Sequence, residues 1–160
     1  MHIQEPLPLY YSWPLFEAEE RMGILGTLPA PQDAVSLDAA LAARGTGIWE
    51  CNLADSRLSW TSGVYDLFGL PHGAEVERSY IVSLYRGRSR RVMEQLRAHA
   101  ITFRRGFSVD AHIRQAAGEE RWMRLSAMPI IEKGKVVRLR GMKIDVTAQY
   151  DVPAPIMSRL

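Results

Sequence analysis

The side chains best able to do chemistry are four histidines and one cysteine. The histidines stand at positions 2, 72, 99 and 112, and these spacings match no metal-ligand pattern. Nucleophilic or phosphate chemistry would need a serine elbow, a phosphate loop or a Cys-x-x-Cys pair, and the sequence contains none of them. The single cysteine, Cys51, excludes an intrachain disulfide and fits a reducing compartment. We therefore expect a protein that has no catalytic residues, is not an enzyme and holds no metal.

Composition indicates one packed domain of an ordinary soluble protein. Of 160 residues, 47% are hydrophobic and 24% are charged, which supplies a core and argues against disorder. No apolar run approaches the ~20 residues of a membrane helix, and the N-terminus lacks the features of a signal peptide. We expect a cytoplasmic protein without a membrane partner.

The net charge of +2 is small, but arginines cluster in the second half of the chain. Such a cluster could contact nucleic acid or an anionic protein. No nucleic-acid-binding motif accompanies it, so a solvated helix face is the favoured interpretation and nucleic acid is not an expected partner. The members of the cluster are Arg86, Arg88, Arg90, Arg91, Arg97, Arg104 and Arg105.

Residues 1–32 form a leader that prolines interrupt repeatedly, with two possible helical turns from Leu15 to Met22. The leader is unusual in its aromatic residues, which gain free energy only when they are buried. We therefore expect it to dock on its own domain or on a partner. Its aromatic residues are Tyr10, Tyr11, Trp13 and Phe16.

Beyond the leader, the spacing of apolar residues predicts short strands, then helices, then a final run of long strands. This order indicates an α+β domain. Strand periodicity is clearest in the last third, where apolar and polar residues alternate. The predicted order is a helix over 36–43, strands over 47–53 and 58–60, a helix over 62–70, helical pieces over 76–86, a helix from 89 to about 103, and strands over 107–114, 121–131 and 135–146.

Four stretches in this order resemble the PAS family, especially its PAS_3-like branch. They read GIWECNL at 47–53, LSWTSGVYDLFGL at 58–70, GEERWMR at 118–124 and VRLRGMKIDVT at 137–147. The resemblance implies a five-stranded antiparallel sheet of order 2-1-5-4-3, with short helices on one face that enclose a pocket. It places the PAS domain at 33–148 and a tail at 149–160. The family often has His-Pro-x-Asp before the long helix, where this chain has Tyr-Arg-Gly-Arg, so Ser89 is the expected N-cap.

The resemblance also implies which side chains face the pocket. The expected pocket residues are Phe107, Val109, Ile113, Trp122, Arg124, Leu139 and Lys143. Two of them are cations, and a buried charge needs a partner. An internal carboxylate, Asp66 or Glu50, is the favoured partner, and a small anionic metabolite is the alternative.

Cofactor binding has two candidate residues. His99 lies on the apolar stripe of the long helix, the element that supplies the haem ligand in haem-binding PAS relatives, so it is a possible haem ligand. Cys51 lies on a predicted strand, whereas light-sensing relatives carry their cysteine on a helix in an Asn-Cys-Arg-Phe-Leu-Gln signature. A buried, inert thiol is the better interpretation of Cys51, and no cofactor is expected.

The opposite face of the sheet is expected to be apolar and to need a cover. Its predicted interface residues are Trp13, Phe16, Met123, Leu125, Met142 and Ile144, and they suggest a homodimer. The resemblance implies a standalone bacterial PAS sensor or adaptor, which acts by protein-protein interaction on a histidine kinase or a second-messenger pathway. A haem or metabolite sensor is the alternative, followed by a small α+β enzyme.

Overall fold

A computed structural model describes residues 11–22 and 28–150. Its centre is an antiparallel sheet of six strands in the order β1-β4-β5-β6-β2-β3. The five strands of the predicted domain keep the expected order 2-1-5-4-3, and the leader adds a sixth strand at the edge beside β4. The strands are β1 (Ser12–Pro14), β2 (Thr46–Asn52), β3 (Leu58–Trp60), β4 (Arg105–Arg114), β5 (Glu120–Glu132) and β6 (Lys135–Asp145).

Six α-helices and two 3-10 turns accompany the sheet in the described ranges. The main core lies between the sheet and the helices α3, α4 and α5, which cover its inner face. The helices are α1 (Ala18–Met22), α2 (Val35–Ala43), α3 (Ser62–Phe68), α4 (Arg78–Ser83), α5 (Gly87–Phe103) and α6 (Thr147–Tyr150), and the 3-10 turns are Leu15–Glu17 and Pro31–Asp33.

The long helix α5 begins two residues earlier than predicted, and Ser89 is not its N-cap. The helix starts at Gly87, and Arg86 occupies the N-cap position without a capping side chain. The Ser89 hydroxyl instead accepts a hydrogen bond of 2.8 Å from the backbone N–H of His112 in β4. This bond ties the first turn of α5 to the sheet.

The leader docks on its own domain and covers part of the outer face of the sheet. Trp13 is 1% exposed, and its indole N–H donates to the Ser108 hydroxyl at 3.1 Å. Gly106 lies directly beneath the ring, where an added Cβ would come within 2.1 Å of the indole. The second core cluster forms here, from Trp13, Met22, Leu28, Ala34, Ile48, Met128 and Met142.

The predicted alternation was wrong for β5 and correct for β4 and β6. Val109 pairs with Leu125, and Asp110 pairs with Arg124, so Leu125 faces the helices and Arg124 faces outward. Trp122 lies on the same outer face as Arg124, so neither side chain faces the pocket as expected. Because side chains alternate with period two, an error of one residue moves the whole strand to the wrong face.

Candidate functional site

A small cavity of about 50 Å³ lies between the sheet and the helices α4 and α5. Its lining combines aromatic and aliphatic side chains with three cationic ones, Arg78, Arg97 and Lys143. Lys143, one of the expected pocket residues, lies on the inner face of β6, where it pairs with Leu125 and Gly47. The expected residues Phe107 and Leu139 also line the cavity, whereas Val109 and Ile113 lie in the surrounding core.

The ammonium end of Lys143 lies among four aromatic rings. Its Nζ is 4.9 Å from the ring centre of Phe68, 5.3 Å from Trp49, 5.7 Å from Tyr85 and 6.0 Å from Trp60. Nζ also donates a hydrogen bond of 3.2 Å to the Tyr85 hydroxyl. Ring faces attract a cation, so this aromatic cage partly replaces the lost hydration of Lys143.

Burial still dominates the protonation equilibrium of Lys143. Its pKa falls from 10.5 to about 7, chiefly through the loss of hydration; the neighbouring Cys51 acts in the opposite direction and raises the pKa, and the Arg78 guanidinium lowers it. Burial raises the pKa of Tyr85, so this phenol stays neutral. At neutral pH a substantial fraction of Lys143 is therefore an uncharged amine beside a neutral hydroxyl.

Four parts of the chain supply the four rings of the cage, and the rings are held by separate contacts. The indole N–H of Trp49, on β2, donates to the backbone oxygen of Ser126 at 3.2 Å. Trp60, on β3, stacks on Phe68 of α3 with ring centres 5.3 Å apart. Tyr85 lies between α4 and α5 and forms a β-bridge to Ile113 of β4. The cage is thus held by the sheet and not by a loose loop.

The expected carboxylate partners of the pocket cations were wrong. Glu50 faces outward and pairs with Arg140 at 2.7 Å. Asp66 is exposed and pairs with His72 at 2.6 Å. Neither carboxylate contacts Lys143. Glu50 alternates onto the outer face of β2, and Asp66 lies on the exposed side of α3.

Arg124 belongs to a separate polar group on the outer face. Its guanidinium binds Asp110 with two hydrogen bonds, of 2.8 and 3.1 Å. Burial pushes the pKa of Asp110 upward, but the hydrogen bonds from Arg124 and Tyr150 outweigh it and hold that pKa below its usual value. Beside this group the rings of His112, Trp122 and Tyr150 form a stack, with centre distances of 4.8 and 4.1 Å.

His99 does not line the cavity, so the structure does not favour it as a haem ligand. Its Nε2 is buried without a hydrogen-bond partner among the described residues, and its ring packs on Phe103. The cavity measures about 50 Å³, which is smaller than the roughly 300–1,000 Å³ typical of ligand pockets. Cys51 does line the cavity, as a buried thiol on β2.

Four of the six predicted interface residues are buried within the chain, which corrects the interface expectation. Met123 and Leu125 lie in the main core, while Trp13 and Met142 lie in the core beneath the leader. Phe16, in contrast, is 87% exposed. Ile144 lies on the outer face and is half-buried. The leader itself is the cover that this face requires.

Sequence reasoning missed the aromatic cage, although part of the signal was present. Trp49 and Trp60 pair across β2 and β3 and share the inner face of the sheet, so the hairpin predicted over 47–60 could have placed both at the pocket. Tyr85 stands in the segment that departs from the family pattern, Arg78 lies on a short helix without a clear apolar face, and Arg97 lies off the apolar stripe of the long helix. Only the packing of α4 and α5 on the sheet brings these residues to Lys143.

Solved structures show that the chain has the PAS fold. It superposes with a TM-score of 0.60 on the N-terminal PAS/PAC sensor domain of a diguanylate cyclase from Marinobacter aquaeolei, at 14% identity over 66% of this chain and 98% of that one. A sensory box histidine kinase/response regulator from Burkholderia thailandensis gives 0.55, at 23% identity over 74% and 86%. An RNA-binding light-oxygen-voltage receptor gives 0.61 at 13% identity, and the match covers 71% of this chain but spans 33% of that one.

No family model matches the chain, and no curated protein matches it. Within residues 11–22 and 28–150, no helix is long and apolar enough to span a membrane. The same residues contain no group of three or more histidine, cysteine or acidic side chains placed to hold a metal ion. The comparisons thus show the PAS fold, and in this chain β1 extends the sheet and the segment around Trp13 covers part of its outer face.

Proposed function

We propose that this chain is a cytoplasmic PAS sensor or adaptor of bacterial signal transduction, which acts by binding other proteins and not by catalysis. The observation that carries the proposal is the filled interior. Lys143 and its aromatic cage lie in this interior, and the cavity beside them measures about 50 Å³, which supports a module that binds proteins and not a large cofactor. The solved structures with this fold include parts of a histidine kinase and a diguanylate cyclase, so a regulator of one of these classes is the proposed partner.

The proposed contact surface is the docked leader with the adjacent helix α2. Phe16 is 87% exposed, Val35 is 76% exposed and Leu37 is 43% exposed. Aromatic side chains dominate the free energy of protein interfaces, so Phe16 is the best single anchor. The same surface is proposed for a homodimer, since PAS relatives commonly dimerise through such a leader.

The first test is the composition and the oligomeric state of the purified full-length chain. We expect a colourless dimer without a stoichiometric cofactor, by absorbance, denaturing mass spectrometry and light scattering. Phe16→Ser should shift the dimer to monomer and weaken binding to a purified histidine kinase or diguanylate cyclase partner at least tenfold. Phe103→Ser is the matched control, because this phenylalanine is 62% exposed on α5, outside the leader. A bound haem or flavin, or equal effects of both variants, would refute the proposal.

One observation favours a second function, the sensing of a small molecule. Three cationic side chains line the cavity, although the lining is otherwise largely apolar. A cavity without a ligand role does not need this composition, since buried charge costs free energy. A small-molecule sensor would contain a stoichiometric ligand that mass spectrometry detects and that Lys143→Met removes.

A further inference from the structure

Lys143 is a buried amine that has no carboxylate partner among the described residues. The residue is 6% exposed, and no carboxylate in the described ranges forms an ion pair with it. Its hydrogen-bond partner is the hydroxyl of Tyr85, which carries no charge. Desolvation in an apolar pocket is one of the ways in which proteins activate a lysine as a nucleophile. The lowered pKa agrees with this geometry.

The free space beside Lys143 limits what the amine can react with. A cavity of roughly 150 Å³ holds benzene. The cavity here, of about 50 Å³, therefore admits a molecule of two or three heavy atoms. Its walls are largely apolar, so a small neutral molecule enters without losing a strong hydration shell, whereas a carboxylate would have to be dehydrated and a sugar would be too large.

The charged groups around the cavity determine which covalent product of the Lys143 amine would be stable there. Two neighbouring groups act on the pKa of Lys143: the Cys51 thiol raises it, and the guanidinium of Arg78, which also pairs with Glu94, lowers it. Arg97 lines the same cavity and forms no ion pair within the described part of the chain. Two guanidinium groups disfavour a protonated imine, the product of a small aldehyde, and stabilise an anionic product. The faces of the aromatic rings stabilise the ammonium form of unmodified Lys143. A covalent product at its Nζ can therefore revert to the free lysine.

We propose that Lys143 binds carbon dioxide reversibly as a carbamate, which makes the cavity a CO₂ site. The Nζ lone pair forms a bond to the carbon of CO₂, and one C=O π pair moves onto oxygen. The nitrogen then releases one proton to the buffer, so R–NH₂ + CO₂ gives R–NH–COO⁻ + H⁺. Arg97 and Arg78 neutralise the new carboxylate. This chemistry does not depend on the protein partner proposed above.

The direct test uses the full-length protein equilibrated with ¹³C-labelled bicarbonate at pH 8. The bound carbamate is observed by ¹³C NMR, then trapped by ethylation with triethyloxonium and located by peptide mass spectrometry. We expect the label on Lys143 at an occupancy at least tenfold above that on Lys133 and Lys135. Lys133 lies in the turn between β5 and β6 and Lys135 begins β6; both are exposed, so they serve as internal controls without a surrounding cage. Occupancy at Lys143 should rise from pH 6 to pH 8.

A pair of arginine variants tests the role assigned to the charges. Arg97→Gln should lower the occupancy at Lys143 at least fivefold, while Arg104→Gln, an exposed position at the end of α5, should leave it unchanged. Circular dichroism confirms that both variants are folded. Absence of the carbamate resonance in the folded wild-type protein, or equal labelling of all three lysines, would overturn the proposal. Equal loss in both arginine variants would overturn the role of Arg97.

Discussion

At the scale of single residues, the burial of Lys143 lowers the free energy of unfolding by an amount that depends on pH. Its pKa is about 7 in the folded chain and near 10.4 in the unfolded chain, so between these values the unfolded chain binds one more proton. The free energy of unfolding therefore rises with pH over this window. We expect it to be about 2 kcal/mol higher at pH 9 than at pH 7, as measured by urea denaturation.

Lys143→Met should remove this dependence, because methionine fills similar space without a charge. The variant should be more stable than the wild type at pH 7, and the two should converge toward pH 10. Lys135→Met is the matched control, since Lys135 is exposed at the start of β6 and should keep the wild-type pH profile. A pH dependence that persists in Lys143→Met would assign the effect to another group.

At the scale of elements, the docking of β1 depends on one side chain. Trp13 is 1% exposed and packs in the second core cluster, so Trp13→Ala should cost about 3–5 kcal/mol in the free energy of unfolding. Phe16→Ala, three residues away and exposed, should change it by less than about 0.5 kcal/mol. Chemical denaturation of both variants checks the contrast. Similar losses in the two would mean that the leader is not held through Trp13.

A second element, the short helix α6, contacts the sheet through a hydrogen bond to the carboxylate of Asp110. Tyr150 donates a hydrogen bond to Asp110, and Arg124 contributes two more. Since these bonds hold the pKa of Asp110 below its unfolded value, their stabilisation is present above about pH 4 and is lost as pH falls through the lowered pKa. Tyr150→Phe should therefore destabilise the protein at pH 7 and have a smaller effect at pH 3, by thermal unfolding.

Element order could be predicted from the sequence because strand and helix periods are local properties. The order of the sheet came from the family resemblance. The face of β5 could not be predicted, since Trp122 and Met123 are both apolar and either phase buries hydrophobic residues. The short strand β1 was missed because three residues with a terminal proline carry no period, and its pairing with β4 depends on Gly106 and on burial of Trp13.

At the scale of the whole molecule, the leader decides which face of the PAS fold meets solvent. Ile48, Met128 and Met142 lie beneath it on the outer face and are buried by it. Deleting residues 1–32 would expose this apolar surface, and large exposed apolar patches drive association. We expect the shortened chain to form larger assemblies by light scattering, whereas Phe16→Ser, which keeps the cover, should stay monodisperse.

This comparison separates the two roles proposed for the leader. The cover depends on the buried side of the leader, through Trp13, and partner binding depends on its exposed side, through Phe16. If the leader acted only as a cover, Phe16→Ser would bind partners like the wild type. If it acted only as a recognition segment, the shortened chain would stay monodisperse and would lose only partner binding. Loss of partner binding in Phe16→Ser, together with association of the shortened chain, is the result that requires both roles.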